Sequence, residues 1–218
     1  MTRYATLIAC LALLAACSSQ PPVPDWHMNA HAAAQKAVEA YLSGDARVAQ
    51  LEWERARAEV ARTGRPDLLA RLELLRCAAQ AASLELGPCD AFEALRAEAQ
   101  APEQAYADYL AGRVAPGQIA LLPPAQRGVA ASGSAAALAA MEDPLSRLVA
   151  AGVLFRSGRI GPDMAAAATE TASAQGWRRP LMAWLTLRAQ RAEAVGDAEA
   201  AAALRRRLAV VQRALPPR

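Results

Sequence analysis

The chain has 218 residues, 24 Lys/Arg against 21 Asp/Glu, and a formal net charge of +3. Arg and Glu/Asp are interleaved rather than clustered, which argues against a nucleic-acid-binding surface. The one lysine, Lys36, has no glycine-rich loop before it, which excludes a Walker-type nucleotide site.

Arg3 supplies a short basic start, and Tyr4 to Leu14 form an uncharged, mostly apolar run too short to span a bilayer as a stable helix. Leu14-Ala15-Ala16-Cys17 follows and resembles the lipobox of bacterial lipoproteins. The resemblance implies export, removal of residues 1–16, and lipidation of Cys17. With Ser18 and Ser19 after the cysteine and no Asp at 18, similarity to Gram-negative lipoproteins implies the periplasmic face of the outer membrane. Gln20 to Pro24 reads as a short polyproline tether between lipid and domain. An acyl anchor needs no transmembrane helix, and no later apolar run of about 18 residues stands in the chain.

Of four cysteines, Cys10 leaves with the signal and Cys17 carries lipid, so Cys77 and Cys89 remain. In an oxidising compartment that pair reads as a disulfide. The bond constrains the fold. An unbroken helix over 66–86 would leave Cys77 roughly 14 Å from its end, whereas a disulfide needs Cα atoms within about 7 Å. The helix is therefore expected to stop near Ala82, with Ser83 to Pro88 running back alongside it.

The mature part is rich in Ala, Leu, Arg and Glu and poor in β-branched and aromatic residues, so helix is expected throughout. Asp25 starts a first helix to about Ser43, with Val38, Tyr41 and Leu42 inward. Gly44-Asp45 breaks the chain, and Asp45 caps a second helix to about Thr63 with Ala49, Trp53, Ala56 and Val60 on one stripe. Gly64 stops it, and Pro66 opens a third holding Leu68, Leu72, Leu75, Ala79 and Ala82. Cys89 or Asp90 begins a fourth with Phe92 and Leu95 inward, and Pro102 a short fifth around Tyr106 and Leu110. Gly112, Pro116, Gly117, Pro123, Pro124, Gly128 and Gly133 are too dense for a long helix, so 112–133 is expected to be a packed connector between helical halves 25–111 and 134–218. Helix resumes near Ser134. Asp143-Pro144 caps the next, with Leu145, Leu148, Val149, Gly152 and Phe155 buried, and Gly158 ends it. Pro162 and Pro180 open two more, the second holding Leu181, Trp184 and Leu185. Gly196-Asp197 turns into the last, with Leu204, Leu208, Val211 and Leu215 on its stripe. The fold class is all-α: antiparallel helical hairpins stacked as an array or an irregular bundle.

Over Ala30 to Gly64 this pattern resembles a tetratricopeptide repeat. Gly44-Asp45 stands at the turn, and Ala49, Trp53 and Ala56 match the small, aromatic, small pattern of its second helix. Ala40 replaces the aromatic of the first helix, and no proline closes the unit near 61. Gly152 with Phe155, and Gly196-Asp197 with Ala201, make partial matches further on. The resemblance implies peptide or protein docking in a concave groove.

Candidate sites are few. His27 and His31 have the spacing of a two-histidine metal platform, but no acidic residue stands between them, and a polar surface beside the tether explains them as well. Trp53, Trp177 and Trp184 are either core or groove residues. Trp177-Arg178-Arg179 joins an aromatic to two cations in a turn, which suits a docking hot spot and, nearly as well, a helix-terminus cap. Arg205-Arg206-Arg207 reads as a solvated helix face. No nucleophile motif, metal site or cofactor signature is present. The expected function is a membrane-anchored, non-enzymatic module that docks an envelope protein. The alternative is a cell-wall-acting enzyme or small-ligand binder using an isolated Glu in an inter-helix groove.

Overall fold

The computed structural model describes residues 24–213. The expected signal, the lipobox-like segment with Cys17 and the expected tether up to Val23 lie outside the described residues, as does Leu215. Eleven α-helices and two 3-10 turns, with no β-strand, make up the described residues. The helices are α1 Asp25–Ser43, α2 Ala46–Ala61, α3 Pro66–Ala82, α4 Asp90–Glu93, α5 Ala101–Leu110, α6 Pro124–Ser132, α7 Ala135–Ala139, α8 Pro144–Arg156, α9 Pro162–Ala174, α10 Arg178–Ala194 and α11 Ala198–Arg213. The 3-10 turns are Arg96–Glu98 and Pro116–Leu121.

The punctuation of the sequence acts as the backbone requires. Asp45 accepts from Val48 N at 3.1 Å and Asp143 from Ser146 N at 2.7 Å, each satisfying an orphan donor of a first helical turn. The end of α1 shows the stop. Gly44 has φ 85°, a left-handed conformation that costs glycine nothing. It lets Gly44 N bond Tyr41 O at 3.1 Å and Asp45 N bond Ala40 O at 2.8 Å. Gly158, Gly176 and Gly196 close α8, α9 and α10 with the same bond pattern. From Pro144 to Arg178, the starts of the α8–α9 and α10–α11 hairpins, the chain advances 34 residues.

Two expected elements differ. The fourth helix is a single turn, Asp90–Glu93, followed by the 3-10 turn. Beyond it, Gln104 Nε2 donates to the carbonyls of Arg96 at 3.1 Å and Ala99 at 2.9 Å, tying the segment after the helix to α5. The second difference is at α10, which begins at Arg178, with Trp177 as N-cap and Pro180 inside the first turn. A proline there forfeits no intrahelical bond.

α3 stops at Ala82, as the cysteine pair demands. Leu84 then takes φ 57°, the one non-glycine left-handed residue among those described, and turns the chain back. Cys77 and Cys89 are joined with Cα atoms 6.0 Å apart. Cross-linking a loop of this length restricts the unfolded chain, and removing both sulfurs (Cys77→Ser with Cys89→Ser) is expected to cost about 3 kcal/mol. Guanidinium titrations of the double variant and the oxidised parent measure this directly. Coincident curves would show that the bond adds nothing.

The connector is short helices. Pro116 and Pro124 stand in the first turns of the 3-10 turn and α6, and no helix between 112 and 133 exceeds the nine residues of α6. Leu122 and Val129 are buried, while Leu121 is 40 % exposed.

The two halves share one hydrophobic core, which runs from Ala30 in α1 to Trp184 in α10. Each helix packs on the next in the order α1, α2, α3, α8, α9, α10, α11, with α4–α7 lying over the α3–α8 pair. α1 also meets α10, so the array curls back on its own beginning. At the centre, α3 and α8 approach closely: a Cβ on Gly152 would occupy the space of the Ala81 carbonyl oxygen.

Candidate functional site

Most residues singled out from the sequence close the array. Trp177 is 9 % exposed, and its Nε1 donates to Glu39 Oε2 on α1 at 2.9 Å. Arg179 donates from Nε to the Tyr41 carbonyl at 2.9 Å, pairs with Glu85 at 3.0 Å and stacks 4.4 Å from the centre of the Tyr41 ring. Burial, reinforced by the Glu85 carboxylate, pushes the Tyr41 hydroxyl well above its usual range. Arg178 lies against Gly44, where a Cβ would sit 3.2 Å from its guanidinium. Trp177, Arg178 and Arg179 therefore bridge the start of α10 to the end of α1 and, through Glu85, to the disulfide loop. Trp53 is 4 % exposed in the core, and Trp184 is fully buried with Nε1 donating to Ala82 O at 3.1 Å. Trp53 and Trp177 are thus core residues, and Trp177 stands at the N-cap of α10, the helix-terminus position.

His27 and His31 are both exposed on α1. No group of three or more His, Cys, Asp or Glu among the described residues is arranged to hold a metal.

Three glutamates are buried, and each is clamped by a cation from the preceding packed helix. Lys36 of α1 holds Glu52 of α2, Arg57 of α2 holds Glu73 of α3, and Arg71 of α3 holds Glu103 of α5 at 2.6 Å. All three cations stay half exposed, so each clamp buries one charge and leaves the other in water, avoiding part of the desolvation cost of a fully buried pair. Every other glutamate among the described residues is exposed or ion-paired. Among the described residues, each buried glutamate therefore has an ion-pair partner.

Among the concave sites of the described residues, two have predominantly apolar linings. The first is a groove of about 620 Å³ between α9, α10 and α11. Ala165, Ala192 and Leu204 form its floor, Val195 stands 80 % exposed at its rim, and Arg188, Arg191 and Asp163 supply charge. Arg191 donates to the Ile160 carbonyl at 3.2 Å, whereas Arg188 has no ion pair among the described residues. The second is a pocket of about 380 Å³ between α3, α5 and the connector, lined by leucines, prolines, Tyr106 and the Arg71–Glu103 pair.

Charge is divided between the halves. Residues 25–111 carry nine Lys/Arg against fourteen Asp/Glu, a net of −5, and residues 112–213 carry thirteen against seven, a net of +6. The near-neutral total conceals a dipolar molecule, whose α9–α11 groove lies on the basic side.

None of the groove residues carries a motif, so periodicity alone does not mark them. Arg188 and Val195 read as ordinary surface positions. A usable signal existed for the clamps, since Lys36–Glu52 and Arg57–Glu73 are both separated by 16 residues, the offset between facing positions of consecutive helices.

The fold and its grooves define an all-α helical-hairpin protein whose open concave surfaces lie between consecutive helices. Comparison with protein-family profiles, with curated proteins and with solved structures finds no match.

Proposed function

We propose that this protein is a lipid-anchored, non-enzymatic interaction module of the bacterial cell envelope, held by Cys17 at the periplasmic face of the outer membrane. Its α9–α11 groove docks an apolar segment of an envelope protein that carries an acidic residue. The lipobox-like Leu14-Ala15-Ala16-Cys17 supports the anchor. No described helix is long and apolar enough to cross a membrane, so attachment in this reading falls to the lipid.

The observation that carries docking is the groove itself: an open apolar floor of Ala165, Ala192 and Leu204, an exposed Val195 and an Arg188 with no ion pair among the described residues, within the basic half. Apolar floor beside a single available cation matches an amphipathic partner segment. The charge imbalance of the half steers an acidic partner towards it.

Two measurements test the two parts. Cys17→Ser is expected to move the protein from the membrane fraction to the soluble periplasm, and its retention in the membrane would remove the anchor. For the groove, a photo-reactive residue at Val195 in living cells is expected to trap one discrete adduct. Arg188→Glu should abolish that adduct, and the same probe at the exposed Leu51 of α2 should trap none. No adduct at Val195, or an adduct indifferent to Arg188→Glu, would overturn docking at this groove.

A further inference from the structure

The last helix, α11, is fixed to the array by one face and turns another outward. Ala201 and Leu204 are buried, and Leu204, Leu208 and Val211 pack with Leu181 and Leu185 of α10. The three consecutive arginines then have different fates. Arg205 pairs with Glu193 of α10 at 2.6 Å and Arg207 with Glu170 of α9 at 2.8 Å, so these two tie the helix down from either flank. Arg206, between them, is exposed and makes no ion pair with any described residue.

Val210, 62 % exposed, and Arg213, also exposed and without an ion pair among the described residues, follow Arg206 at spacings of 4 and 3. The three therefore share one stripe of the helix, in which an aliphatic side chain stands between two cations. Glu199 lies on the same side two turns earlier, which confines the cationic part of the stripe to 206–213.

We propose that this stripe is a contact for the surface of an anionic phospholipid bilayer, with Arg206 and Arg213 on phosphates and Val210 at the boundary of headgroups and acyl chains. Guanidinium forks match phosphate oxygens, and an outward aliphatic residue flanked by cations is the pattern of helices that lie in a lipid interface. Shape agrees with charge. The stripe runs along the outer side of a terminal helix with no wall beside it, so it fits a plane better than a segment lodged between helices. The +6 net charge of its half adds attraction over a longer range. The α9–α11 groove takes Ala200 and Leu204 from another side of α11, so a bilayer on the stripe leaves that groove open. Proximity to lipid rests on the anchor reading: with Cys17 in the membrane, the residues from Ser18 to Pro24 hold Asp25 within about 30 Å of it. The tether sets the distance, and the stripe sets which side turns to the lipid.

Cosedimentation with vesicles tests the stripe on the chain from Ser18 to Arg218, which holds every described residue and no lipid. It is expected to bind vesicles of phosphatidylcholine with phosphatidylglycerol at low salt, to ignore pure phosphatidylcholine, and to be released at high salt. Arg206→Gln should weaken binding roughly fivefold, and Arg206→Gln with Arg213→Gln roughly 25-fold, one cation at an anionic surface each time. Val210→Trp should tighten it, because an indole favours the interface. Arg188→Gln, in the groove, removes the same charge from the same half and should change binding little. Absence of binding to phosphatidylglycerol vesicles overturns the proposal. An equal loss from Arg188→Gln also overturns it, by reducing the attraction to net charge, as does a Val210→Trp that changes nothing. Self-association without vesicles that Arg206→Gln removes would overturn it too, by assigning the stripe to the acidic half of a second copy. None of these outcomes depends on acylation of Cys17, which the Cys17→Ser fractionation tests separately.

Discussion

Gly152→Ala is expected to destabilise the protein by about 3 kcal/mol or more, the upper end of overpacking costs, because the atom in the way is backbone. Helix propensity predicts the opposite sign: alanine inside a helix is favoured over glycine by about 0.8–1 kcal/mol. The α3–α8 crossing reverses it. A methyl at 152 would fill the space of the Ala81 carbonyl oxygen, and that carbonyl belongs to the last turn of α3, so it cannot swing aside as a side chain does. The two helices must separate, opening the core on both sides of the crossing. At this chain length the loss corresponds to a fall of roughly 6–12 °C in Tm. Gly128→Ala is the control. Gly128 is a helical glycine of α6 with open space around its Cβ direction, and that substitution is expected to stabilise by about 0.5–1 kcal/mol. Thermal unfolding of the two variants by circular dichroism separates crossing from propensity. A neutral or stabilising Gly152→Ala would show that α3 and α8 do not meet at this distance.

Trp184→Ala carries a comparable penalty, about 3–5 kcal/mol, from the cavity left by a fully buried indole. The indole does two things in the structure. Its ring packs edge-on to Phe155 of α8, with centroids 6.5 Å apart, and its Nε1 donates at 3.1 Å to the Ala82 carbonyl, one of the unsatisfied acceptors at the end of α3. Trp184→Phe retains much of the volume and removes the donor, so its smaller cost of about 1–3 kcal/mol isolates the buried carbonyl left unpaired. Because the indole ties α10 to both α3 and α8, the Ala variant should still unfold in one transition at a lower midpoint. Two separated guanidinium transitions would mean instead that the halves hold independent cores.

The distinction between what was legible and what was hidden follows the range of the interactions. Asp45, Gly44, Asp143 and Gly158 mark helix ends through contacts within a few residues, which is why those ends were predictable from the chain alone. The disulfide was legible for a different reason. Two cysteines in a short segment set a distance that an unbroken helix violates, and the structure meets it by ending α3 at Ala82 and turning at Leu84. The fourth helix is shorter than expected, and the segment after it is held by a contact distant in sequence, Gln104 of α5 on the carbonyls of Arg96 and Ala99. For the Trp177-Arg178-Arg179 cluster the chain alone left a docking spot and a helix-terminus cap side by side, and Trp177 is the N-cap of α10. An aromatic beside two cations has the composition of a docking spot, and only its partners, Glu39, Tyr41 and Glu85, reveal that it fastens the chain to itself.

The sequence by itself determined that this is an all-α protein of capped, glycine-terminated hairpins with a bonded cysteine pair, because caps, periodicity and a short covalent bridge are local properties of the chain. The tertiary structure decided which surfaces remain open. The α9–α11 groove and the pocket between α3, α5 and the connector exist because residues far apart in sequence line a common space. A side chain's availability for function is what remains after packing, and packing is a property of the whole fold.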